Sequence, residues 1–134
     1  MTTDTRRILV VDDQRDICEM TALVLSGAGY RVDTVDSGES ALSTLERDRF
    51  DLVLLDINMP GMDGWETLRL IRCDDSLTEL PVMMFSIKGE IRDKIESLQE
   101  GAVDFVTKPF VVDEFLARVD RVLSADGDSA GAER

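Results

Sequence analysis

Five polar side chains each follow a short apolar segment of this chain. They are Asp12 and Asp13 after the first segment, Asp56 after the third, Ser86 after the fourth and Lys108 after the fifth. If these segments are parallel strands, their carboxyl ends meet at one edge of a sheet and bring the side chains together. Two carboxylates about 4 Å apart at an effective dielectric of about 20 repel by about 4 kcal/mol, so a cation is expected among them.

The chemistry of this set points to a divalent cation and a phosphoryl group. Oxygen ligands without nitrogen or sulfur favour Mg²⁺, which accepts one or two carboxylates, keeps several waters and leaves a position for a phosphate oxygen. Lys108 could supply a second positive charge and Ser86 a hydroxyl donor to the other phosphoryl oxygens. One of the carboxylates could then be the nucleophile that becomes an acyl phosphate.

The elements that would position these residues alternate along the chain. Four apolar segments predict buried strands, at Ile8–Val11, Leu52–Leu55, Val82–Phe85 and Val103–Val106, and the mixed segment Arg31–Asp36 predicts an edge strand. Apolar residues at helical spacing follow each strand. Strand then helix, five times, predicts an α/β fold: an open, doubly wound, five-stranded parallel sheet with five helices on its two faces.

Local signals mark several helix ends. Gly27 and Gly29 are expected to end the first helix, and Asp63 with Glu66 three residues later is typical of a helix N-terminal cap. Gly101 stands where a helix end favours a left-handed residue.

Composition limits the class of protein. With 134 residues, 43% of them hydrophobic, the chain predicts one domain, over residues 1–124. Residues 125–134 lack periodicity and large apolar side chains, and we interpret them as a disordered tail or a linker stub. The apolar stretch after Arg6 and Arg7 ends at Asp12, too early for a signal peptide, so a cytoplasmic protein without membrane insertion is expected.

Charge and metal-ligating residues exclude further classes. A formal net charge of −13 repels phosphate backbones, so no direct nucleic-acid ligand is expected. The chain has no histidine, and its two cysteines, Cys18 and Cys73, have no paired spacing, which excludes the usual zinc and haem sites.

Three separated stretches resemble the receiver domain of two-component response regulators. They read ILVVDD at Ile8–Asp13, DLVLLDINMPGMDG at Asp51–Gly64 and GAVDFVTKPF at Gly101–Phe110. The resemblance spans Arg7 to Leu123 and implies a flavodoxin-like sheet with strand order 2-1-3-4-5.

The resemblance also implies the roles of the acidic residues. Asp56 matches the phosphoacceptor, and Asp13 resembles the carboxylate that binds Mg²⁺ directly. Asp12 would hold a metal-bound water or a second coordination position. Asn58 matches the position whose backbone carbonyl completes the metal shell.

Other matching positions imply a switch. Ser86 matches the hydroxyl switch residue, Phe105 the aromatic switch, and Lys108 the lysine that contacts the phosphoryl group ahead of a cis peptide bond to Pro109. Ile87 departs from the usual pattern, which has a small residue there, and a β-branched side chain could shield the acyl phosphate from water.

The resulting hypothesis is a phosphorylation-dependent switch rather than an enzyme. A sensor histidine kinase or phosphotransfer protein would donate to Asp56, and the domain would assist its own phosphorylation and dephosphorylation. Output would pass to a target protein or a second copy through the face formed by the fourth helix, fifth strand and fifth helix. The alternatives are a pseudo-receiver working without phosphorylation and a receiver fragment of a longer regulator.

Two further classes fit the residues less well. A carboxylate-nucleophile phosphatase would need a second carboxylate two residues after its nucleophile, where this chain has Asn58. A flavodoxin-type flavin carrier would need a phosphate-binding loop after the first strand, where Asp12 and Asp13 would repel the flavin phosphate.

Overall fold

The computed structural model describes residues 5–86 and 91–128. The elements run in the order β1 (Arg7–Val11), α1 (Arg15–Gly27), β2 (Arg31–Val35), α2 (Gly38–Arg47), β3 (Leu52–Asp56), α3 (Gly64–Cys73), a 3₁₀ turn (Asp75–Leu77), β4 (Val82–Ser86), α4 (Ile91–Gln99), β5 (Asp104–Thr107) and α5 (Val112–Asp128). This is the predicted alternation, and the strand boundaries differ from the expected ones by about one residue.

The five strands form one parallel sheet. Their order is β2-β1-β3-β4-β5, which confirms the expected strand order and places β2 at an edge. The chain passes from β1 to β2 on one side and then crosses back past β1 to reach β3 on the other side, so the direction of winding switches between β1 and β3. Ligands of such sheets bind at this switch, outside the carboxyl ends of the strands.

Two apolar clusters cover the two faces of the sheet. Alternate strand residues point to opposite faces, so Leu9 packs in one cluster and its neighbour Ile8 in the other. The first, which we call the α3-side cluster, includes Ala41 from α2 and Leu68 from α3. The second, the α5-side cluster, includes residues of α1 and Phe115 of α5. Burial on both faces explains the continuous apolar composition of the inner strands.

The predicted helix ends are observed. The Asp63 side chain accepts a hydrogen bond from the backbone N–H of Glu66 at 3.0 Å and caps α3. Helix α1 ends at Gly27. Gly29 (φ 100°) and Gly101 (φ 108°) are left-handed, a conformation that costs other residues free energy because of their Cβ atom.

Helix α5 is longer than its apolar pattern indicates. It runs to Asp128, so residues 125–128, expected to begin a disordered tail, are helical. Buried residues such as Val119 and Leu123 anchor this helix. Extending a helix that has already formed does not repeat the unfavourable nucleation step. Residues 129–134 of the predicted tail lie outside the described residues. Within the described ranges, no helix combines the length and apolarity needed to cross a membrane.

Candidate functional site

Three carboxylates meet at the carboxyl edge of the sheet. One oxygen each from Asp12, Asp13 and Asp56 lies within 4.8 Å of the other two. Asp12 and Asp56 are only 2% and 4% exposed, whereas Asp13 faces solvent. The strands bring the residues together because β1 and β3 are direct neighbours. Buried carboxylates this close to one another need positive charge nearby.

Lys108 supplies part of that charge. Its Nζ donates to Asp12 Oδ2 at 2.7 Å and lies 3.7 Å from Asp56 Oδ1, and its side chain is 4% exposed. Its backbone N–H donates to the carbonyl of Ser86 at 2.7 Å, which ties the end of β5 to the end of β4. The peptide bond between Lys108 and Pro109 is cis, as the resemblance implied.

Asp56 is held in an environment that disfavours its charge. Burial raises the pKa of its carboxyl from 3.8 to about 6, with the Lys108 ammonium opposing the rise and the Asp12 carboxylate adding to it. The backbone N–H of Asn58 also points at Asp56 Oδ1, at 3.4 Å. A further cation beside Asp56 would lower this pKa and stabilise the ionised carboxylate.

The loop after β3 approaches the end of that strand too closely for a side chain at Gly64. A Cβ on Gly64 would lie 2.3 Å from the carbonyl oxygen of Asp56 and 2.6 Å from Cα of Ile57. The Gly64 N–H donates to the Ile57 carbonyl at 2.9 Å, and the Ile57 N–H donates to the Phe85 carbonyl at 3.0 Å. This packing fixes the segment that carries Asn58.

Trp65 stands beside the same loop. It lines a cavity of about 410 Å³ together with Ile57, Asn58, Met59 and Asp63. Trp65 is the one tryptophan of the sequence and therefore offers a fluorescent reporter close to Asn58. The pattern of the sequence predicted neither the position of Trp65 nor the steric role of Gly64. The glycine in the motif after Asp56 was the available signal for Gly64.

The two proposed switch residues lie at different places. Ser86 ends β4, is 1% exposed and pairs in register with Thr107 of β5. Phe105 is 5% exposed and packs in the α3-side cluster. Ile87, predicted to shield the acyl phosphate, lies outside the described residues.

The donor atoms at this edge fit Mg²⁺. Carboxylate oxygens of Asp12, Asp13 and Asp56 converge, and the exposed position of Asp13 leaves room for the waters that Mg²⁺ retains. Among the residues that the structure describes, this cluster contains carboxylates and no thiol, which makes a metal that prefers sulfur ligands a poor match.

Comparison with known proteins agrees with this arrangement. The family described as "Response regulator receiver domain" matches residues 8–120. The chain is 39% identical over 128 residues to the DNA-binding response regulator MtrA of Mycolicibacterium smegmatis, covering 96% of this chain and 55% of MtrA. It is 38% identical over 122 residues to the phosphate regulon regulatory protein PhoB of Pseudomonas aeruginosa, covering 91% and 53%. The chain thus spans about half the length of these relatives.

Solved structures give the same result. A putative response regulator from Chloroflexus aurantiacus superimposes with a TM-score of 0.87 at 36% identity, covering 90% of this chain and 99% of that one. The chemotaxis protein CheY4 of Vibrio cholerae superimposes with a TM-score of 0.84 at 32% identity, covering 89% and 99%. The sheet order and the family match together show that this chain belongs to the receiver domains of two-component response regulators.

Proposed function

We propose that this receiver domain accepts a phosphoryl group on Asp56 in a Mg²⁺-dependent reaction and thereby switches a protein-binding surface. The observation that supports this most is the buried Asp56 carboxylate beside Asp12, Asp13 and the Lys108 ammonium at one edge of the sheet. The donor would be a sensor histidine kinase or a phosphotransfer protein. The chain has no histidine, so a phosphohistidine donor lies outside this sequence.

The metal would be held by a few oxygen atoms of this edge. Asp13, Asp56 and the backbone carbonyl of Asn58 would bind Mg²⁺, with Asp12 holding a metal-bound water or a second coordination position. The bound ion would neutralise charge on the transferring phosphoryl oxygens.

The residues of the chain would perform the transfer itself. A carboxylate oxygen of Asp56 attacks the phosphorus, and the bond from phosphorus to the donor nitrogen breaks, leaving an acyl phosphate on Asp56. Lys108 leaves Asp12 to pair with one phosphoryl oxygen, because the new group carries more negative charge. The Ser86 hydroxyl donates to another phosphoryl oxygen.

These movements would couple the site to a surface. Ser86 moving toward the phosphoryl group vacates space that the Phe105 ring can occupy, and this changes the face formed by α4, β5 and α5. The elements of that face expose apolar side chains, among them Ile95 (50%) of α4 and Val112 (44%) of α5, which suit a target protein or a second copy of the domain.

We expect this domain to act in the cytoplasm and to bind no nucleic acid directly. MtrA is named as DNA-binding, but this chain matches only 55% of that protein. The net charge of −13 opposes binding to a phosphate backbone. The domain would assist its own phosphorylation and dephosphorylation without acting on a separate substrate. A pseudo-receiver is not favoured, because every group expected to contact metal or phosphate is present.

Intact-mass measurement with acetyl phosphate tests the proposal. With Mg²⁺, the wild-type protein should gain the mass of one phosphoryl group, and chelation should abolish the gain. The Asp56→Asn variant should gain nothing, whereas the control Asp75→Asn, in the exposed 3₁₀ turn, should label like the wild type. Labelling of Asp56→Asn at the wild-type level would overturn the assignment.

A further inference from the structure

An aromatic ring lies beside the ammonium of Lys108. The residue is Phe85 in β4, which is 1% exposed and stands in register with Asp56 on β3. Lys108 Nζ lies 5.7 Å from the centroid of the Phe85 ring. Cations within about 6 Å of a ring centroid are attracted by the negative face of the ring.

Burial strengthens this attraction. The Lys108 side chain is 4% exposed, and one N–H of its ammonium is taken by Asp12 at 2.7 Å. A cation removed from water gains more from a ring face than an exposed one does. The four-carbon side chain of lysine is flexible, so contacts on more than one side are needed to hold Nζ in one place.

The Phe85 ring contacts two further rings, one just before α5 and one in its first turn. The centroid of Phe85 lies 6.0 Å from that of Phe110 and 5.5 Å from that of Phe115, and Phe110 and Phe115 stack at 4.3 Å. Phe85 therefore contacts both the lysine of the site and the residues that lead into α5. Because aromatic pairs prefer particular offsets, displacement of one ring changes the packing of the others.

This group lies on the opposite face of the sheet from Phe105. Phe85 and Phe115 belong to the α5-side cluster, whereas Phe105 belongs to the α3-side cluster. Phe110 also lines a groove of about 390 Å³ together with Val111, Glu114 and Phe105. A change in the three rings would therefore reach this groove from the α5 side of the sheet, whereas Phe105 reaches it from the α3 side.

We propose that Phe85 is a positioning residue for Lys108 and that its ring couples movement of the Lys108 ammonium to Phe110 and Phe115. The inference rests on the proposed function, in which a phosphoryl group on Asp56 draws Lys108 away from Asp12. The receiver then has two routes from the site, one on each face of the sheet. Ser86 and Phe105 act on the α3 side, and Phe85 acts on the α5 side.

A double-mutant cycle on the unphosphorylated protein tests the positioning role. The effects of Phe85→Leu and Lys108→Met on the unfolding equilibrium constant should not be independent. The double variant should differ by about fivefold from the product of the two single effects, because each substitution removes the same contact. The control cycle of Met83→Leu with Lys108→Met should be additive within about twofold, because Met83 lies in the same strand and cluster but is not one of the three contacting rings. Additivity in the Phe85 cycle would overturn the positioning role. If Phe85→Leu does not fold, Phe85→Met takes its place in the cycle.

Hydrogen exchange with and without acetyl phosphate tests the coupling. The fully phosphorylated wild type should exchange its amide hydrogens at residues 110–116 at rates that differ from those of the unphosphorylated wild type. In phosphorylated Phe85→Leu, the change in exchange at residues 110–116 should be at least about threefold smaller, while the change near Phe105 persists. The control Met83→Leu, in the same strand and cluster, should keep both changes.

The outcomes separate the two proposals. A full response at residues 110–116 in Phe85→Leu, or an equal loss there and near Phe105, would overturn the coupling through Phe85. Failure of the wild type to label at all would overturn the proposed function. The cycle on unphosphorylated protein would in that case still decide whether Phe85 positions Lys108.

Discussion

Lys108 donates to Asp12 Oδ2 at 2.7 Å across 96 positions of sequence, and the same ammonium stays 3.7 Å from Asp56. The lysine thus compensates the carboxylate of Asp12 more fully than that of Asp56, the proposed acceptor. Asp56 is left buried and only partly paired, which is consistent with its raised pKa of about 6.

The first prediction concerns stability and pH in Asp56→Asn. Burial raises the pKa of Asp56 from 3.8 to about 6, so the folded protein binds this proton more tightly than the unfolded chain. Stability contributed by the protonated form is therefore lost as pH rises from 3.8 through about 6. At pH 7 without metal, Asp56→Asn should be more stable than wild type by on the order of 2 kcal/mol.

Urea unfolding in the presence of a chelator checks this. The stability difference should shrink toward zero below about pH 3, where Asp56 is protonated in both the folded and the unfolded state. A difference independent of pH would show that the burial of charge on Asp56 is not its cause.

The second prediction concerns Mg²⁺ affinity in Lys108→Met. The ammonium lies against Asp12 and near Asp56, so it competes with a divalent cation for the same carboxylates. Its removal should tighten Mg²⁺ binding by about threefold to tenfold. Fluorescence of Trp65, beside Asn58, gives the titration curve.

The matched control is Lys94→Met, since Lys94 is an exposed lysine of α4. Its Mg²⁺ affinity should stay close to that of the wild type, because exposed charges are screened. Weaker binding in Lys108→Met would mean that the lysine organises the metal site rather than competing with it.

The third prediction compares two glycines. In Gly64→Ala the new methyl group would meet the Asp56 carbonyl at 2.3 Å, so the loop must shift. We expect a loss of about 2–4 kcal/mol in the free energy of unfolding and slower labelling of Asp56. Gly27→Ala, with nothing within 4 Å of its Cβ, should stay neutral or gain up to about 1 kcal/mol. Equal stability of the two variants in thermal unfolding would refute the close approach at Gly64.

The sheet was predictable because its signals are local. The strand Leu52–Asp56 is largely apolar because it is buried on both faces, and Gly101 stands where the backbone is left-handed. Both signals can be recognised within a few residues of sequence. Convergence of Asp12, Asp13 and Asp56 then followed from parallel strands ending at one edge.

Contacts between distant residues were less accessible. Strand order alone leaves open whether Lys108 pairs with Asp12 or Asp56, since this depends on differences of about 1 Å. Phe85 looked like any other apolar strand residue, because its place beside Lys108 depends on the path of the chain after β5. The helical end of α5 was missed because residues 125–128 carry no apolar periodicity.

The fourth prediction is that phosphorylation does not create a DNA-binding surface on this domain. The net charge of −13 repels the phosphate backbone, and an acyl phosphate adds negative charge. In an anisotropy titration at about 50 mM salt, where electrostatic binding is strongest, neither form should bind duplex DNA below micromolar concentrations. Sub-micromolar binding by either form would contradict the assignment of a protein partner.

Chemical trapping of the phosphorylated residue tests the central proposal most directly. Borohydride reduces an acyl phosphate of aspartate to homoserine, and peptide mass spectrometry then identifies the position. After treatment with acetyl phosphate and Mg²⁺, homoserine should appear at position 56 alone, and at no position when a chelator replaces Mg²⁺. Homoserine at position 12 or 13, or an unmodified position 56 in a protein that has gained a phosphoryl group, would contradict it.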